Sequence, residues 1–142
     1  DKHMIAALGF WAFLLSAMAV FVIVGGMTER IFILLLLACT IGTMFSWDAK
    51  GEGGLPLITF SIDLALWFLG VFLVVSTDKF WPVWFTGFHT NAVALQIAAF
   101  IASQHYAMFL EYAAAAFAIP ALGVATFGVL KDYRSVENAR SS

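Results

Sequence analysis

The sequence predicts an all-α integral membrane protein: a bundle of five transmembrane helices joined by short loops, or of four if one weak break is not a turn. Three observations carry this. Of 142 residues, 63% are hydrophobic and only 11% charged, whereas a soluble domain has roughly 25% charged and 45–50% apolar residues. The mean hydropathy is +0.95, so the chain lacks the polar side chains to cover itself in water. Its apolar residues fall in runs of about 20, the length that crosses roughly 30 Å of hydrocarbon at about 1.5 Å per residue. In lipid each segment must satisfy its own backbone polar groups, which makes helices the economical choice.

Taken in order, Asp1-Lys2-His3 reads as an expression-tag remnant, residues 4–130 as the bundle and 131–142 as a polar tail. The first run, 5–24, has no basic n-region of its own and exceeds the roughly 7–15 residues of a signal h-region, so it reads as a retained helix. The second, 31–47, follows the Gly25-Gly26-Met27-Thr28-Glu29-Arg30 connection. The third, 56–75, opens after Gly53-Gly54 with Pro56 in its first turn. The fourth is 81–102 and the fifth 106–130. Ser103-Gln104-His105 between them carries no certain charge; without a turn there, one long helix or a re-entrant segment replaces two spans. Pro120 should kink the fifth span. Its small residues, with a second stripe of Gly9, Ala12, Ser16 and Ala19, predict close helix packing and self-association.

Arg30, Lys79, Lys131, Arg134 and Arg140 fall on one face of the five-span topology and Lys50 on the other. Retention of basic residues in the cytoplasm then puts the N-terminus outside and the C-terminus inside. The short-loop design suits a bacterial inner membrane. Trp47, Trp81 and Trp84 stand at span ends, where indole rings favour the headgroup layer.

Ionisable groups inside a span cost roughly 2.5–3.5 kcal/mol and usually turn towards the bundle interior or a cavity. This singles out Asp63 and Glu111. Both lie roughly 9–12 Å below the outer face at helical rise, and Gln96 reaches a similar depth. Thr59, Asp63 and Gly70 share one helical stripe; His89, Ala92, Gln96, Ala99 and Ser103 share another, and Gln104, Met108, Glu111 and Ala115 a third. Asp63, Gln96 and Glu111 are therefore the candidate ligand- or ion-binding residues, with His89, Asn91 and His105 as secondary polar candidates. A purely structural reading, in which these groups hold helices in register, explains the same pattern.

His89 and His105 stand about 24 Å apart along a helix, too far to share one metal or haem. His105, Glu111 and Asp63 match no recognised ligand spacing, and no metal site or cofactor is assigned. Cys39 is the lone cysteine and offers no redox pair. The sequence has no Walker loop, dinucleotide fingerprint, metalloprotease helix or nucleophile elbow. Asp132 and Glu137 interrupt the basic tail, which argues against nucleic acid as a partner. Three functions remain: an oligomeric channel or transporter for a proton, cation or small solute; a non-catalytic subunit of a larger membrane complex; and an intramembrane enzyme acting on lipid or using a metal. The expected partners are the bilayer and either further copies of the chain or that complex.

Overall fold

The computed structural model describes residues 2–48 and 57–141. Among them the chain is all-helical: α1 Lys2–Ile23, α2 Met27–Asp48, α3 Leu57–Ser76, α4 Trp81–Ile101, α5 Gln104–Ala116 and α6 Ala118–Ser141. Pro56, Lys50 and the glycine turn before α3 lie outside the described residues, as does the side chain of Trp47.

The helices cover the predicted apolar runs but exceed them: α2 starts inside the predicted connection at 25–30, and α6 carries the predicted polar tail on as helix to Ser141. Most of their hydroxyls are satisfied locally. Ser16, Thr40, Thr43, Ser61, Thr77, Thr90 and Thr126 each donate to the carbonyl four residues back, at 2.7 to 2.9 Å, so none needs water or a tertiary partner for its proton. The chain does turn at Ser103. Ala102 and Ser103 are extended, and the Ser103 carbonyl accepts from the amides of Tyr106 (2.9 Å) and Ala107 (3.0 Å) to start α5.

The fifth run is interrupted at Phe117, whose amide donates to the carbonyls of both Ala114 and Ala115. Pro120 accounts for the position: it has no amide to offer the Ala116 carbonyl, and its ring crowds that carbonyl.

α4 is the hub, packing on α3, α5 and α6, while α1 packs on α6 and α2, and α2 also on α3. The core holds Leu14, Phe21, Phe32, Ile33, Trp81 and Phe85 with small residues of α6. Trp81 is 0% exposed. It is therefore no headgroup anchor: its ring lies 4.7 Å from that of Phe32 and 5.7 Å from that of Phe21, and only Trp84 of the pair faces outward. Of the two small-residue stripes, Ala121, Ala125 and Gly128 of α6 are buried, whereas Gly9, Ala12, Ser16 and Ala19 of α1 are exposed. The α6 stripe is the one that serves packing within the chain.

The outer surface is apolar on every helix, with Ile23, Val75, Ile101 and Phe127 each at least two-thirds exposed. Among the described residues two helical stretches, Leu57–Ser76 and Phe109–Asn138, are long and apolar enough to cross a membrane; Leu8–Ile23 of α1 is apolar but shorter.

Candidate functional site

The register of α3 against α4 builds the site. A Cβ at Gly70 would lie 2.5 Å from Thr86 Oγ1, so only glycine permits the two helices to come this close. One turn further along, Trp67 Nε1 donates to Thr90 Oγ1 at 2.8 Å. In this antiparallel register Asp63 stands between His89 and Gln96, which lie two turns apart on one face of α4. Gln96 Nε2 donates to Asp63 Oδ2. His89 Nε2 is 3.0 Å from the Asp63 backbone carbonyl; because a carbonyl only accepts, that nitrogen carries the hydrogen. Phe85, its ring 5.4 Å from the imidazole and nearly parallel to it, holds the other side.

Asp63 and His89 line a cavity of about 90 Å³ between α1, α2, α3, α4 and α6. Cys39, Thr40 and Thr43 of α2 contribute to its wall. The two threonine hydroxyls donate within their own helix and keep lone pairs free. Nearby on the same elements, Gln96 Oε1 and Thr59 Oγ1 are buried without a partner. Such a volume admits a few waters or one small solute. The donor set is dominated by oxygen acceptors around a single carboxylate, which favours a proton, a cation or a hydrogen-bond donor over an anion.

The other candidates fall elsewhere. Glu111 is half-buried on α5, level with the buried Ala107 and Ala114; it neither bonds Asp63 nor lines the cavity. α3 and α5 both pack on α4, but the register brings only Gln96 and His89 to Asp63. Asn91 is exposed and donates to the Gly87 carbonyl at 3.0 Å. His105 begins α5, and its side chain lies outside the described residues. No three His, Cys, Asp or Glu side chains among the described residues converge as metal ligands.

A second polar cluster escaped the sequence reading, which treated Glu29 and Lys79 as loop charges. Glu29, in the first turn of α2, is 3% exposed. Its Oε1 accepts from Lys79 Nζ, and from Trp81 Nε1 at 3.2 Å. A Cβ at Gly25 would lie 2.5 Å from Glu29 Cβ, so the glycine pair makes room for the acid. Burial alone would raise the Glu29 carboxyl. The Lys79 hydrogen bond, those from Glu29's own amide and from Trp81, and the Lys79 charge together outweigh burial and hold it below the ordinary carboxylate range. The only sequence signal was a Gly-Gly pair just ahead of an acid in a helix's first turn, which is weak.

No family model matches the chain, and no curated protein or solved structure is significantly similar to it. Fold and site together define a helical bundle with a small, mostly apolar cavity between five of its helices that carries Asp63 and His89 on its wall.

Proposed function

We propose that this chain is a small polytopic protein of the bacterial inner membrane, N-terminus outside and C-terminus inside, that acts as a channel or carrier for a proton, cation or small solute. The observation that carries the reading is the Asp63 carboxylate, tied to Gln96 and adjoining His89 on the wall of a cavity lined mostly by apolar side chains. A carboxylate in such surroundings is costly unless it is used. The apolar outer surface supports the bilayer as solvent. Arg30 beside Glu29, its partner Lys79, and Lys131 over the Phe80 ring cluster at one end of the bundle, which supports that end as cytoplasmic.

The test is flux into vesicles reconstituted with the purified protein, using protons, Na⁺ and K⁺ as probes. Asp63→Asn should reduce the flux of the transported ion at least tenfold while far-ultraviolet circular dichroism stays unchanged. Glu111→Gln, away from the cavity, should leave it within about twofold. Flux unaffected by Asp63→Asn would overturn the reading.

A further inference from the structure

The strong hydrogen-bond donors around the Asp63 cavity are already committed. Thr40 and Thr43 donate to the Leu36 and Cys39 carbonyls of their own helix, each at 2.9 Å. His89 Nε2 gives its hydrogen to the Asp63 carbonyl at 3.0 Å, which leaves Nδ1 of the neutral ring an acceptor. Gln96 Nε2 takes up Asp63 Oδ2, while Oδ1 accepts from no side chain among the described residues. Cys39 adds only a thiol, a weak donor. The wall therefore offers lone pairs around one carboxylate, and among the described residues no lysine or arginine lines it to balance the charge.

Size and wall chemistry narrow the occupant further. The cavity measures about 90 Å³, room for about three waters at roughly 30 Å³ each, which is too little for a metal cation with its hydration shell. Stripped of water, a hard cation takes roughly six or more oxygen ligands. Asp63, Thr40 and Thr43 are the only lining side chains among the described residues that carry oxygen. Most of the remaining wall is apolar, with Leu14, Leu66, Leu122, Phe10 and Phe85. Aliphatic walls favour a ligand's methyl groups, and aromatic faces attract a cation.

We propose that the cavity binds a small primary alkylammonium ion of the size of methylammonium or ethylammonium. Such a head group carries three hydrogens, which Asp63 Oδ1 and the Thr40 and Thr43 oxygens accept, and its one charge balances the one carboxylate. The alkyl group takes the apolar wall. A quaternary ammonium ion has the charge without the hydrogens and leaves those acceptors unsatisfied; an anion finds no cationic partner. The inference rests on the transport reading for what binding serves, and it names the substrate class of that same site.

Cys39 is the chain's only cysteine and lines the cavity, so its modification reports occupancy. The purified protein in mild detergent is treated with methyl methanethiosulfonate in methylammonium, Na⁺, K⁺ or tetramethylammonium chloride at equal concentration, and the rate is read by intact mass. Methylammonium should slow the reaction at least threefold and raise the thermal midpoint; the other three salts should do neither. Thr43→Val, which keeps the side-chain shape and removes one acceptor, should weaken the protection, and Asp63→Asn should abolish it. The wild-type comparison decides the question even where Asp63→Asn does not assemble. No rise in midpoint with methylammonium, or equal effects from all four salts, would overturn the proposal. Protection by Na⁺ or K⁺ alone would overturn it too, while leaving the transport reading in place. Methylammonium protection together with flux unaffected by Asp63→Asn would uphold the site and remove the transport reading.

Discussion

Gly128→Ala should destabilise the bundle by about 2 kcal/mol, although alanine is the better helix former by about 1 kcal/mol. A Cβ at Gly128 would lie 2.4 Å from Trp81 Cβ and 2.9 Å from Trp81 Cα. The second contact is with backbone, so no side-chain rotation relieves it and α6 must move off α4. Trp81 cannot retreat, because Phe21 and Phe32 pack its other faces. Overpacking of this kind typically costs about 1–3 kcal/mol, and a backbone clash belongs at the upper end. Gly87→Ala is the control. Nothing lies within 4 Å of its Cβ position, so helix propensity acts alone and the midpoint should rise slightly. Thermal denaturation in mild detergent, followed by circular dichroism, gives both numbers; an unchanged or raised midpoint for Gly128→Ala would refute the packing argument.

Glu29→Ala should cost about 3 kcal/mol, towards the lower end of the roughly 3–5 kcal/mol for breaking a buried pair. The lower end applies because Lys79 is 34% exposed and can turn to water once its partner is gone. What remains is an unpaired Trp81 indole and a void beside Gly25. The pH dependence has a definite sign. The Glu29 carboxyl titrates below its ordinary value of 4.5, so its contribution is complete above that value and is lost as pH falls through the depressed folded-state value. The difference in thermal midpoint between wild type and Glu29→Gln should therefore stay constant above pH 5 and close in the acid range below about pH 4. A gap that persisted at low pH would mean that the carboxylate charge contributes nothing.

Much of the architecture was legible along the chain. The central stretches of the helices followed from apolar runs, the turn at Ser103 from a short uncharged break, and the interruption at Phe117 from Pro120, whereas α2 and α6 run on through polar residues 27–30 and 131–141 that read as a connection and a tail. These are local effects: a helix forms, turns or breaks according to neighbours within about four residues. The meeting of Asp63 with Gln96 was also legible, because both lie on polar stripes of consecutive helices joined by a short turn, which leaves few registers available.

Partnership between distant segments was not legible. Glu111 resembled Asp63 in type and depth, yet the structure sets it away from the cavity; Glu29 resembled an ordinary loop acid, yet it is among the most buried polar groups described. Likewise Trp81 had the sequence context of an anchor and became the centre of the core. By itself, then, the sequence determined the helical class, the central stretch of each helix and which residues share each helix face. Tertiary structure alone decided which faces meet, because that depends on glycine contacts such as Gly70 with the Thr86 side chain and Gly128 with the Trp81 backbone, where the room left by a missing Cβ selects one register and excludes its neighbours.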